Sequence, residues 1–234
     1  MRFLIGGVPR SGTTILCNYF DSIDGACCFN EPHWEFARTN NCACLTNRFP
    51  QLEFAASHPL PIDPAMTKLL ETHSRVAFKE TFRSNYYRQV EPVVCNEDLF
   101  KAYKDAGYKV VFIIRDPIRC FESAFQTFGG PRSHWPKMVD PFLRSYLDML
   151  DFHDAAFVKY ETFLRNPREE FSKAFGFDPG DVKLKGRLSG QMGDEKALKS
   201  TAIVAPKRMT EVPLTESEIE LISGSEAWQR WAQM

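Results

Sequence analysis

The segment Gly6-Gly7-Val8-Pro9-Arg10-Ser11-Gly12-Thr13-Thr14 lies between the apolar runs Phe3-Leu4-Ile5 and Ile15-Leu16. That order predicts a strand, a glycine-containing loop and a helix. Such a loop turns successive backbone N–H groups and a helix N-terminus toward one point, which makes an anion site. Gly7 to Thr14 nearly fits the phosphate loop G-x-x-x-x-G-K-[ST], with Thr13 standing where the lysine belongs. The lysine that reaches the β and γ phosphates of a nucleoside triphosphate is therefore absent, and Arg10 offers a cation from within the loop. The segment predicts phosphate binding through Arg10, Ser11, Gly12, Thr13 and Thr14, at a site not shaped for the triphosphate end of ATP or GTP.

A second segment, Tyr108–Phe128, carries a similar message. Arg115 closes the apolar run Val110-Val111-Phe112-Ile113-Ile114, Pro117 opens a helix, and Ser123 follows two turns into it. A strand-end guanidinium and a helical hydroxyl can converge on one phosphate, and the planar fork of arginine suits bidentate donation to it.

Together, the Pro9–Thr14 loop, the Arg115–Ser123 pair and the strand end at Tyr160-Glu161 resemble the sulfotransferases that use 3′-phosphoadenosine-5′-phosphosulfate (PAPS). The resemblance runs in order over roughly the first three quarters of the chain. Val158-Lys159-Tyr160-Glu161-Thr162-Phe163-Leu164, followed by Asn166-Pro167, is similar to the family's mainly structural Y-E-D-L segment. The resemblance implies that the first loop grips the 5′-phosphosulfate and that Arg115 with Ser123 grips the 3′-phosphate. PAPS is then the donor and the bisphosphate PAP the product.

An acceptor hydroxyl loses its proton as its oxygen attacks sulfur, so a base must stand at the loop mouth. Glu31-Pro32-His33-Trp34 follows the second strand and resembles the base segment of carbohydrate and tyrosylprotein sulfotransferases, which use glutamate. The cytosolic members use a histidine after a K-T-H segment; here the third strand ends Phe78-Lys79-Glu80-Thr81 with no histidine. The resemblance carries the base role to Glu31, with His33 and Glu80 as alternatives. Lys79, at the end of a strand expected beside the first loop, would stabilise the leaving oxygen together with Arg10. Removing one such group typically costs ~2.7–4 kcal/mol of barrier. No metal is called for, because a sulfuryl group carries less charge than a γ-phosphoryl group.

These residues need a scaffold that brings strand ends together. Strands are predicted at Arg2–Gly6, Ala26–Asn30, Arg75–Lys79, Lys109–Arg115 and Ala155–Tyr160. Helices are predicted at Thr13–Ser22, Asp63–His73, Glu97–Ala106, Ile118–Thr127, Pro141–His153 and Pro167–Phe175. The alternation predicts an α/β fold: a doubly wound, mostly parallel sheet flanked by helices, of the phosphate-loop nucleotide-binding type. The tail from Thr215 to Met234 reads as helical, with Ile219, Leu221, Ile222, Trp228 and Trp231 packing on the core. Two stretches break the rhythm and read as loops: 32–62, rich in aromatics and cysteine, and the polar 177–215.

A single domain over 1–234 is expected. Residues 32–62 and 129–140 would form acceptor-side loops. His33, Trp34, Phe36, Phe54 and Trp135 favour stacking on a sugar or aromatic acceptor, and Arg38 or Arg48 can read an acidic group. The late basic loop, through Gly186–Gly190, Lys199-Ser200 or Lys207-Arg208, is expected to add adenine and 3′-phosphate contacts. The partner is therefore a hydroxyl-bearing small molecule or carbohydrate.

The composition is that of a globular chain, with 44% hydrophobic and 25% charged residues. A net charge of −1 gives no global field for nucleic acid or acidic membrane. The longest apolar run is too short to span a bilayer. Arg2 leads straight into the first strand with no cleavage-site pattern, and seven scattered cysteines fit a reduced, cytoplasmic setting. Cys42-Ala43-Cys44 lacks a second paired element, so no metal site is expected there. Two other classes remain open. A kinase or NTPase would need a lysine in the loop and a metal-binding acid, for which Asp116, between Arg115 and Pro117, is the candidate. A non-catalytic PAP-binding protein would keep the phosphate motifs with a damaged base position.

Overall fold

The computed structural model describes residues 1–52, 60–85, 95–128, 135–186, 200–203 and 214–234. Five strands, β1 (Arg2–Gly7), β2 (Ala26–Asn30), β3 (Arg75–Thr81), β4 (Lys109–Ile114) and β5 (Ala156–Lys159), form one sheet in the order β2-β3-β1-β4-β5. Every neighbouring pair is parallel. Because both faces of such a sheet are covered, its strands are apolar almost throughout, and β2 and the last five residues of β4 are wholly buried.

Alternation along the strands divides the core in two. Leu4, Phe29, Phe78 and Phe112 point to one face. There they meet α4 (Asp63–Leu69), α5 (Glu97–Asp105), α6 (Pro117–Phe128) and α7 (Trp135–Leu150) through Met66, Phe100, Tyr103, Phe121, Phe142 and Tyr146. Phe3, Ile5, Ala77, Val111 and Ile113 point to the other. They are covered by α1 (Thr13–Ser22), α8 (Tyr160–Arg165) and α9 (Pro167–Phe175) through Leu16, Phe20, Phe163, Phe171 and Phe175.

Several boundaries match those read from sequence; others move for identifiable reasons. Residues 32–62 are not a loop throughout. Pro32 opens α2 (Pro32–Thr39) as a first-turn proline, and Cys42 opens the short α3 (Ala43–Thr46). Pro141 lies inside α7 rather than at its start, so the helix begins at Trp135. Residues of the tail form α10 (Glu216–Ser223) and α11 (Glu226–Gln233), with a Thr215–Glu218 capping box and Ser225 capping the second. Ile222 and Ala227 are buried there, whereas Ile219 and Leu221 are exposed, against expectation, so that α10 reaches the core through Ile222. Among the described residues, no helix is long and apolar enough to cross a membrane.

Strand order places β1 at the centre, with β3 on one side and β4 on the other. Chain direction across the sheet reverses at this point, and the carboxyl ends of strands flanking such a reversal form a crevice. The loop 8–12, the ends of β2 and β3, and the residues after β4 all open there.

Candidate active site

The loop after β1 is held in a shape that few residues tolerate. Arg10 has φ 69° and Gly12 φ 104°, both in the left-handed region. A side chain at Gly12 would run into the Tyr160 ring, so glycine is required by space as well as by backbone. The Ser11 backbone N–H donates to the Val8 carbonyl at 3.1 Å. Helix α1 starts at Thr13 with no side-chain cap and no acidic residue in its first turn. Its N-terminal N–H groups are thus left for an anion. The buried Ser11 Oγ has no hydrogen-bond partner among the described residues. Thr13 is buried and Thr14 half-buried beside it.

Arg115 and Ser123 converge on this loop. The Arg115 Nη1 donates to the Arg10 carbonyl at 3.1 Å, and the Arg10 Nε donates to the Ser123 Oγ at 3.1 Å. The Arg115 guanidinium also lies 4.8 Å over the Tyr160 ring. Two residues more than a hundred positions from Arg10 are therefore gathered around it. Asp116, the acid a kinase reading would use on a metal, is committed to structure. Its Oδ1 accepts from the Ile118 N–H at 2.9 Å at the start of α6, and burial raises its pKa.

Across the crevice, the end of β3 meets the start of α2. Glu31 occupies the left-handed region at φ 56°, and its N–H donates to the Lys79 carbonyl at 2.7 Å. The Lys79 ammonium, with the residue only 3% exposed, donates to Glu31 Oε1 at 2.5 Å. The Thr81 hydroxyl donates to the same oxygen at 2.7 Å. Burial pushes the Glu31 pKa up, but the Lys79 charge and these hydrogen bonds outweigh it and hold the carboxyl below its ordinary value. Glu31 is thus an ionised, half-buried carboxylate with one oxygen held and the other not used by any described donor. Thr81 escaped the sequence reading, although its place two residues after Lys79 on a strand puts it on the same face.

The alternatives for the base are placed differently. The His33 ring packs edge-on against Tyr103 at 6.0 Å, its two nitrogens buried and unpartnered among the described residues. Burial lowers its pKa to about 4, so the ring is neutral and faces the core rather than an acceptor. Glu80 is fully buried on the opposite face of β3 from Lys79 and Thr81. Trp34 is half-buried with the Arg38 guanidinium 4.4 Å over its ring. Arg48 is not an open reader of acids: its Nη1 pairs with the buried Asp21 at 2.6 Å. Trp135 begins α7, and its side chain lies outside the described residues, as do Phe54, 129–134 and most of 177–215. Within that late stretch, the Ser200 carbonyl accepts from the Asn18 side chain of α1 at 2.9 Å. The Cys42 and Cys44 sulfurs and a Glu35 carboxylate oxygen lie within 4.8 Å of one another, and Glu35 Oε2 accepts from the Cys44 N–H at 3.1 Å.

The sequence profile described as the sulfotransferase family matches residues 3–177, spanning both phosphate segments and Glu31. The chain belongs to the sulfotransferase family. This sulfotransferase resembles a crystal structure of a sulfotransferase from Alicyclobacillus acidocaldarius, with TM-score 0.51 and 12% identity over 99% of this chain and 92% of that one. It also resembles mouse sulfotransferase SULT7A1 complexed with PAP, with TM-score 0.53 and 13% identity over 99% of this chain and 87% of that one. At these identities the likeness establishes the fold. No curated protein matches the sequence. The family membership makes the chain a transferase of sulfuryl groups and sets aside the kinase class.

Proposed function

We propose that this sulfotransferase moves the sulfuryl group of PAPS in line to an acceptor hydroxyl, with Glu31 as base and PAP as product. The observation that carries this reading is the Glu31–Lys79 pair at the carboxyl end of β3, the strand paired beside β1 and its loop. An ionised carboxylate and an ammonium stand together where a hydroxyl, a sulfuryl group and a leaving phosphate would meet. The N–H groups at the start of α1, with Arg10, Ser11, Gly12, Thr13 and Thr14, would hold the 5′-phosphosulfate. Arg115 and Ser123 would hold the 3′-phosphate. The PAP complex of the mouse sulfotransferase that shares this fold supports that donor class.

The residues divide the work by charge. Lys79 keeps Glu31 ionised in the unliganded site, at the cost of its basicity. An anionic donor at the loop shares the Lys79 charge, so the proton affinity of Glu31 rises as the acceptor arrives. Lys79 and Arg10 then stabilise charge on the leaving oxygen, the role of preorganised donors in a dry site. These fixed cations supply the charge that phosphoryl transfer takes from a metal, so no metal enters the proposal. Trp34 on α2 would border the acceptor side, whereas the neighbouring His33 ring turns away from it to Tyr103. A sugar or other small hydroxyl compound fits that border. The whole chain is read as one domain working in a reduced, cytoplasmic compartment, as seven free, buried cysteines favour.

Transfer of ³⁵S from labelled PAPS to a panel of glycans, phenols and aliphatic alcohols tests the reading. Wild type should label a hydroxyl compound and release PAP without magnesium. Glu31→Gln should lower kcat by ~10²–10⁴-fold, the range of general-base catalysis, while PAP affinity stays within a few-fold. Equal turnover by Glu31→Gln would overturn the base assignment, and a magnesium-dependent use of ATP would overturn the donor.

A further inference from the structure

Glu80 neighbours the proposed catalytic pair but takes no part in the reaction above. It is fully buried, on the face of β3 turned away from Lys79 and Thr81. Its two oxygens have separate partners. Oε1 accepts from the His33 N–H at 2.6 Å, and Oε2 accepts from the Cys95 thiol at 3.0 Å. His33 lies in the first turn of α2, the helix whose N-cap position is Glu31. The Glu31 side chain does not cap that helix, because it is drawn to Lys79 and Thr81. An uncapped helix start leaves N–H groups without partners, and here a carboxyl from the neighbouring strand takes one of them.

Three consecutive residues of β3 therefore grip the start of α2. Lys79 binds the Glu31 backbone and carboxylate, Thr81 binds the carboxylate, and Glu80 binds the first turn behind it. Glu31 needs such a grip, since a residue with a Cβ held at φ 56° persists only when its surroundings over-determine it. We propose that Glu80 is a positioning residue: by capping the first turn of α2 it fixes the left-handed backbone of Glu31 and aims that carboxylate at the acceptor. The inference rests on the reading of Glu31 as the base.

Its chemistry suits the task. Burial first, and then the neighbouring Glu31 charge, raise the Glu80 pKa to about 8. Near neutral pH it is mainly a neutral acid: with the proton on Oε2, beside the Cys95 sulfur, Oε1 still accepts from the His33 N–H, and no second anion stands beside the base. The groups facing it are Glu31 before α2 and His33 in it, Lys79 on its own strand, Cys95 before α5 and Tyr103 on α5. Lys79 and the two hydrogen bonds oppose the rise, and Tyr103 and Cys95 are themselves kept neutral by burial.

Carboxyl ¹³C NMR of glutamate-labelled full-length protein, titrated without nucleotide, tests this independently of donor and acceptor. Wild type should show a glutamate titrating near pH 8 that is missing from Glu80→Gln and shifts down in Glu31→Gln. Glu80→Met fills the volume but lacks an acceptor. It should raise the Glu31 midpoint toward an ordinary glutamate and speed exchange of the His33 amide at least tenfold. Glu80→Gln, which keeps a carbonyl oxygen for that amide, should restore both. With an acceptor in hand, Glu80→Met should lose kcat at least tenfold with PAP affinity within threefold. A wild-type Glu31 midpoint and His33 exchange rate in a folded Glu80→Met would overturn the proposal. If Glu80→Met fails to fold, a His33 amide that exchanges in the wild type as fast as an unprotected one would overturn it instead. Failure of wild type to bind PAP would sink the function reading and leave these titrations informative.

Discussion

Glu31 and Glu80 lie on either side of one strand end, and their surroundings push their proton affinities apart. Lys79 and Thr81 keep Glu31 ionised, while burial keeps Glu80 protonated near neutrality. The raised Glu80 pKa has a consequence for stability. Between its unfolded value of 4.5 and about 8, the folded chain holds a proton that the unfolded chain has released. This contribution is complete below pH 4.5 and is lost as pH rises toward 8. Glu80→Gln should therefore lose less stability than wild type between pH 5 and pH 8, measured by urea unfolding at each pH. Parallel pH profiles would show that Glu80 does not titrate in this window. The sequence named Glu31 through its position after a strand and its likeness to a glutamate-base segment. It could not assign the three neighbouring side chains. His33 turning to Tyr103, Glu80 turning behind the strand and Thr81 joining the carboxylate all depend on the register Asn30↔Lys79 between β2 and β3, a long-range fact.

At the scale of elements, the junction between β1 and α1 carries the most constraint. Gly12 must take φ 104°, and the Tyr160 ring of α8 occupies the space where a side chain would go. Gly12→Ala should cost ~1–2 kcal/mol for the backbone alone, with ~1–3 kcal/mol more for overpacking. PAP affinity should fall at least tenfold as the loop opens; calorimetry and thermal melting together check this, and an unaffected variant would show that the loop shape is not needed. The extents of β2, α1 and α9 were legible because apolar runs, Pro167 and a glycine or asparagine before a helix give clear local signals. The helix α2 was not. At eight residues, with Trp34, Phe36 and polar residues mixed, it shows too little periodicity to separate from a loop. Pro141 misled for the opposite reason. It is a strong start signal, yet α7 runs through it, and Ser145 Oγ donates to the Pro141 carbonyl at 2.8 Å within the helix.

At the scale of the molecule, the order β2-β3-β1-β4-β5 sets residues from four separate segments along one edge of the sheet. The carboxyl ends of β2, β3, β1 and β4 stand side by side and deliver Glu31, Lys79, the loop 8–12 and Arg115 to one crevice. Composition and alternation of elements made this architecture readable, since parallel crossover connections leave few other solutions. The same layout predicts a ligand with anionic groups at two places, one for the loop and one for Arg115 with Ser123. A nucleotide with a single phosphate site should bind less well. Calorimetric titration of the protein with PAP, beside 5′-AMP and ATP with and without magnesium, tests that claim most directly. PAP should bind most tightly and without magnesium, and Arg115→Ala should weaken it by ~10–100-fold, the loss of a charge-assisted contact worth ~1.5–3 kcal/mol. Tighter, magnesium-dependent binding of ATP, or PAP binding indifferent to Arg115→Ala, would contradict the account.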